Sequence, residues 1–160
     1  MKTALCAVAL AGLALAGCAP TDSPVALAPA SYETAPAMSH AGRESLNASI
    51  AHYAQAYNIP ESLIHASVRR ESNYNPAAHN GPYWGLMQIR RDTARGMGYS
   101  GSSSGLLDAD TNLAYGVPYL ANAYIVAGGD QKRALRLYAG GYYYEAKRRG
   151  LLGQLHKAER

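Results

Sequence analysis

The stretch "ESLIHASVRRESNYNP", residues 61–76, reads as one amphipathic helix closed by a turn. Ile64, Val68 and Glu71 stand at i, i+4 and i+7, so they share a narrow sector of one helix face. Leu63 widens the apolar stripe, and Pro60 with Glu61 suits a first helical turn. Asn75-Pro76 forbids continuation, because a residue before proline resists the α region. The carboxylate of Glu71 therefore projects from the apolar face at the helix C-terminus. Partial burial and the helix end each favour the neutral acid there, the form a general acid requires. Arg69 and Arg70 are expected to point elsewhere, since residues one and two apart do not share a face. Read alone, Glu71 is better explained as a helix-end residue reaching to water.

The segments on either side are also helical. Leu46, Ile50, Tyr53 and Tyr57 form a stripe at i, i+4, i+7 and i+11. "PYWGLMQI" (82–89) reads as a short helix, and Asp92 as the cap of a further turn through "TARGMG" (93–98). "SGSSSG" (100–105) is a loop. Asp110 is placed to cap a long helix with Leu113, Val117, Leu120 and Tyr124 on one face and Pro118 kinking it. Gly128-Gly129 ends that helix, and Asp130 caps the next, with Ala134, Leu135 and Tyr138 inward. No run alternates with period two for long, so the expected class is all-α.

The N-terminus reads differently. Lys2 precedes the apolar run "ALCAVALAGLALAG", which is too short to span a bilayer comfortably and has the form of a secretory signal. "LAGC" (15–18) resembles a bacterial lipobox, in which Cys18 is lipidated and becomes the first mature residue. "ALA" (14–16) also suits ordinary small-residue cleavage. The lipobox is favoured because Cys18 has no other evident use, and Ala19 after it implies the outer membrane. The expected location is the bacterial periplasm, anchored there as a lipoprotein, with a soluble exported protein as the alternative. Residues 18–42 contain Pro20, Pro24, Pro29 and Pro36 and almost no large apolar side chain. They read as a tether with a reach on the order of 75 Å. This divides the chain into a signal peptide (1–17), the lipidated Cys18 with its tether (18–42) and one domain (43–160).

Composition narrows the function. The 15 Lys+Arg against 11 Asp+Glu give +4, too mild an excess for a nucleic-acid partner. With 13 Tyr and no Phe, tyrosine must supply the aromatic packing. His52, His65 and His79 stand in no His-Glu-x-x-His pattern, so neither metal nor cofactor is expected. "YYYEAKRRG" (142–150) sets aromatics beside basic residues and reads as a packed helix with a solvated basic side, or as a sugar-stacking surface.

Five blocks occur in order: "ESNYNP" (71–76), "GLMQI" (85–89), "TARGMG" (93–98), "NLAYGVPYL" (112–120) and "ALRLYAGG" (134–141). Over residues 59–141 the chain resembles the lytic transglycosylase catalytic domain of the SLT type, related to goose-type lysozyme. The resemblance implies a lysozyme-like helical fold with a glycan cleft. It also implies non-hydrolytic cleavage of the bond between N-acetylmuramic acid and N-acetylglucosamine in peptidoglycan, with an anhydromuramoyl product. Glu71 then matches the catalytic acid. Ser72, Gly85, Leu86, Met87, Gln88 and Tyr138 match residues that shape or bind at the cleft, although Met87 and Tyr138 also suit a core and Ser72 a helix terminator. The expected partners are glycan strands and, through Cys18, a membrane, with the protein a monomer. Four departures stand out: Ala139 replaces the usual Asn after the tyrosine, Asn80 stands where serine is common, Arg90-Arg91 replace Met-Pro, and "GPYW" (81–84) is bulkier than usual, which bears on specificity.

Most glycosidases use two carboxylates, and the sequence offers no convincing second one. Asp92, Asp108 and Asp110 read as caps or loop residues, and Glu145 as an ion-pair partner for residues 147–149. Substrate-assisted chemistry would remove the need. A goose-lysozyme-like hydrolase using Glu71 with water, and a non-catalytic glycan-binding module, are the competing readings.

Overall fold

The computed structural model describes residues 38–156. The signal, Cys18 and most of the tether lie outside these residues. Six helices form the body: α1 (His40–Ala56), α2 (Glu61–Ser72), α3 (Arg91–Gly96), α4 (Ala109–Ala127), α5 (Gln131–Gly140) and α6 (Tyr143–Arg148). Strands β1 (His79–Asn80), β2 (Tyr83–Trp84) and β3 (Ile89–Arg90) form one small antiparallel sheet in that order. The expected helical class therefore holds, with this sheet as an addition.

Helix α4 is buried on nearly every side, as its sequence "ADTNLAYGVPYLANAYIVA" requires. Leu113, Val117, Leu120, Ala123 and Val126 are wholly buried, and α1, α2 and α5 supply Ile50, Leu63, Ile64, Val68, Ala134 and Tyr138 around them. Each large aliphatic side chain so placed contributes roughly 1.5–3 kcal/mol of burial. Asn122 on α4 fixes the backbone at His156, donating from Nδ2 to the His156 carbonyl (3.0 Å) and accepting from its amide (2.6 Å).

Three local expectations need correction. The N-cap of α4 is Asp108, whose Oδ1 accepts from the Thr111 amide at 2.8 Å, while Asp110 sits in the first turn. The Thr111 hydrogen bonds hold the Asp108 carboxyl below its ordinary range. Asp92 lies inside the first turn of α3, whose N-cap is Arg90. Helix α1 begins at His40, capped by Ser39, so it starts inside the stretch read as tether. Asp130 caps α5 as expected, and Gly128 ends α4 in the left-handed region at φ 69°.

The largest correction concerns residues 82–89. They form no helix: β2 pairs with both neighbours, and a tight turn follows it. Gly85 (φ 71°) and Gln88 (φ 46°) are both left-handed, which no helix tolerates. A Cβ on Gly85 would lie 2.2 Å from both Asn112 Nδ2 and the Leu106 carbonyl oxygen. Asn112, 0 % exposed, holds the turn from α4. Its Oδ1 accepts from the Met87 amide (2.8 Å), and its Nδ2 donates to the carbonyls of Trp84 (2.8 Å) and Leu106 (2.7 Å). Gly116 on α4 admits Met87, whose Sδ would stand 2.6 Å from an added Cβ.

Candidate functional site

Helix α2 ends beside a cleft of about 440 Å³. Glu71 lines it from the last turn of α2, Tyr119 from α4, and Tyr138, Ala139, Gly140 and Gly141 from the end of α5. Asn80, Tyr83, Gln88, Ile89 and Arg90 come from the sheet and its turn, and Thr93 from α3. The cleft thus lies between the helical body and the sheet.

Glu71 is held where the apolar stripe predicted it. Ile64 and Val68 beneath it are fully buried, and its own side chain is 20 % exposed. The helix stops just past it because Asn73 and Tyr74 both take positive φ, at 50° and 64°. Ser72 ties off the last turn by donating to the Val68 carbonyl at 3.2 Å. Tyr74 folds back on α2, with its hydroxyl 3.0 Å from His65 Nδ1.

Arg70 departs from expectation. It is the direct partner of Glu71, donating from Nε to Oε1 at 2.9 Å and pairing again through its terminal nitrogen. The spacing rule fails here because the guanidinium has an anchor across the domain. Its other terminal nitrogen donates to the Leu135 carbonyl on α5 at 3.1 Å. Held by α5, the fork reaches round the helix end to Glu71. It stabilises negative charge on the carboxylate, the state to which an acid returns after giving up its proton. Arg69 is exposed.

Tyr138 is buried, and its hydroxyl donates to the Met87 carbonyl at 2.8 Å. Burial first, then the Glu71 charge, push that hydroxyl well above the ordinary tyrosine range, so it remains a donor. It therefore joins α5 to the 85–88 turn. Tyr119 and Tyr142 extend this aromatic floor, with Tyr119 edge-on to Tyr138 at 5.4 Å between centroids. Tyr138→Phe removes one buried hydrogen bond and leaves the Met87 carbonyl unpartnered. Stability in urea should fall by about 1–2 kcal/mol. Because Gln88 follows Met87 and lines the cleft, the cleft wall should loosen with it.

The matched residues divide into two sets. Glu71, Gln88 and Tyr138 meet at the cleft. Leu86 and Met87 are 0 % exposed, and the pocket wall includes neither of them nor Gly85 and Ser72. These four shape the site from behind, through the turn, the core and the helix end. Gln88 commits Nε2 to the carbonyls of Ala78 (3.1 Å) and Gly85 (2.9 Å), which leaves its Oε1 as the acceptor it can offer a ligand.

Sequence reasoning missed Tyr119 and Thr93 as cleft residues, and it missed Asn112 as the support of the turn. It noted Asn80, Arg90 and Ala139 only as departures. Glu145 lies away from the cleft, in contact with Arg133 and 3.6 Å from Arg149, so it is an ion-pair residue as expected. Among the described residues lining the cleft, Glu71 is the single acid.

The family model "Transglycosylase SLT domain" matches residues 48–158. Membrane-bound lytic murein transglycosylase C of Serratia proteamaculans is 38 % identical over 96 residues, covering 53 % of this chain and 26 % of that protein. The protein of the same name from Yersinia enterocolitica is 39 % identical over 97 residues, covering 54 % of this chain and 26 % of its own. The chain thus spans about a quarter of the length of these curated relatives.

Proposed function

Because the chain belongs to the transglycosylase SLT domain family, we propose that it is a peptidoglycan lytic transglycosylase with Glu71 as its catalytic acid and base. The observation that carries this reading is a single acid in a cleft. Glu71 is half-sequestered at a helix end, and no second carboxylate joins it among the described lining residues. A two-carboxylate glycosidase needs a partner about 5–9.5 Å away. One acid suffices if the sugar supplies the nucleophile.

Protonated Glu71 gives its proton to the glycosidic oxygen as the bond from muramoyl C1 breaks. The leaving N-acetylglucosamine departs with that proton as a hydroxyl. The acetamido oxygen of the muramoyl residue stabilises the positive C1. Glu71, now a carboxylate steadied by Arg70, takes the proton of the muramoyl C6 hydroxyl while that oxygen bonds to C1 and closes the anhydro ring. The carboxylic acid is restored and water is not consumed. Gln88 Oε1 is suited to accept from a sugar N–H or hydroxyl, and the rings of Tyr119 and Tyr83 to pack against sugar faces.

Cleavage in water enriched in oxygen-18 tests the reaction type. A transglycosylase leaves the label out of its products, whereas a hydrolase places one labelled oxygen at each new reducing end.

The location is part of the same proposal. Cys18 at the end of "LAGC" carries lipid and anchors the protein at the outer membrane, from which the tether lets the domain reach the wall as a monomer. What supports this is the sequence itself, where Lys2 and the apolar run of residues 4–17 lead directly into Cys18. Cys18→Ser should shift the protein from the membrane to the soluble fraction on cell fractionation. Retention in the membrane fraction would refute anchoring through that residue.

A further inference from the structure

The sheet carries a row whose polar groups the glycan chemistry leaves unused. The register pairs Asn80 with Tyr83 and Tyr83 with Arg90, so these three lie side by side across β1, β2 and β3. All three line the cleft that Glu71 enters. Residues directly opposite on antiparallel strands point to the same face, about 4.5–5.5 Å apart. An amide, a phenol and a guanidinium thus form one polar strip along a wall. The adjacent row, His79, Trp84 and Ile89, serves packing instead: the His79 and Trp84 rings stack at 3.7 Å and Ile89 is 2 % exposed.

Arg90 is the charged member of that strip. Its backbone is fixed by pairing in β3 and by its place as N-cap of α3. Its one ion pair among the described residues, with Asp92 at 3.8 Å, is loose and exposed on both sides. Such a pair contributes little and gives way readily to a better partner. Arg91, next along the chain, donates instead to the Gly101 carbonyl at 3.2 Å. The other guanidinium near the site, that of Arg70, is committed to Glu71 and Leu135. Arg90 therefore adds a positive group to a cleft wall with no acid of its own among the described lining residues beyond Glu71.

We infer that Arg90, with Asn80 and Tyr83 beside it, is a specificity site for a carboxylate of the peptide stem carried by the muramoyl residue. This inference rests on the proposed cleavage of peptidoglycan. The glycan itself is uncharged at its N-acetylated sugars, so its hydroxyls and acetamido groups give a guanidinium no ionic partner. The stem peptide leaves the ring from the muramoyl lactyl ether and carries free carboxylates. A guanidinium takes a carboxylate through two parallel N–H···O bonds, which Asn80 and the Tyr83 hydroxyl can supplement.

The test compares full-length wild type, Arg90→Met and Arg90→Lys on three substrates. These are strands bearing stems with free carboxylates, strands with the same stems amidated, and strands stripped of stems by an amidase. Wild type should prefer the free-carboxylate strands by about tenfold in kcat/KM, carried mainly by KM. Arg90→Met should bring that ratio close to one. Arg90→Lys should retain part of it, because it keeps the charge and loses the fork. Added salt should erode the wild-type preference. An equal preference in wild type and Arg90→Met would overturn the inference.

Glu71→Gln protein in calorimetry separates this inference from the reaction type. Soluble disaccharide-peptide with a free carboxylate should bind more tightly than its amidated form, and Arg90→Met should abolish the difference. That result would support the site even if wild type cleaved nothing. No difference between the two ligands would overturn it.

Discussion

Glu71→Gln is expected to leave the domain folded and to lower peptidoglycan cleavage by at least about 10³-fold, as loss of a general acid does. The substitution preserves shape. The Gln carbonyl oxygen can still accept from Arg70, and the buried Ile64 and Val68 beneath it are untouched. What is lost is the ionisable carboxyl, both its exchangeable proton and the charge that pairs with Arg70. A fall of 10³ corresponds to about 4 kcal/mol of transition-state stabilisation. The measurement is the rate of soluble muropeptide release, with the far-ultraviolet dichroism and melting curve of the variant overlaid on wild type. Full activity in a folded variant would remove Glu71 from the reaction.

Asn112→Ala has the largest expected effect on stability. One side chain serves three backbone groups: the Met87 amide and the carbonyls of Trp84 and Leu106. Asn112 is fully buried, so water cannot simply replace it. Each orphaned group costs about 1–3 kcal/mol, and the three together should cost roughly 3–5 kcal/mol. Urea unfolding should show that loss as a lower midpoint. Cleavage should fall even at temperatures where the variant is folded, because Gln88 and Tyr138 depend on the same turn. A change below about 1 kcal/mol would mean that the turn is held by something other than Asn112.

The contrast between these two residues shows which parts of the site the sequence could reveal. Glu71 was legible because its placement is local. It lies seven residues from Ile64 on the same helix, and Asn73 to Pro76 end that helix just beyond it. The capping of α5 by Asp130 and the αL stop at Gly128 were legible for the same reason, since both are settled within four residues.

Residues 85–88 were not legible. Read alone, "GLMQ" has ordinary helical character, and what opposes the helix is remote. Asn112 reaches the Met87 amide across 25 residues, and Tyr138 reaches the Met87 carbonyl across 51. Glycine at position 85 was a hint, because a positive φ beside a close neighbour requires it, but nothing nearby names that neighbour. Arg70 was misread for a related reason. Helix spacing puts it on a different face from Glu71, and the anchor that holds its guanidinium beside Glu71 is the Leu135 carbonyl, 65 residues away. The strip of Asn80, Tyr83 and Arg90 likewise exists only once the strand register is known.

The chemistry assigned to Glu71 is tested most directly by the ends it makes. Full-length protein should be incubated with purified peptidoglycan, and the released muropeptides weighed by mass spectrometry, with Glu71→Gln as control. The expected result is products one water lighter than the hydrolytic ones, carrying anhydromuramoyl ends, present with wild type and absent with the variant. Hydrated reducing ends from wild type would contradict it and make the enzyme a hydrolase acting through the same carboxylate.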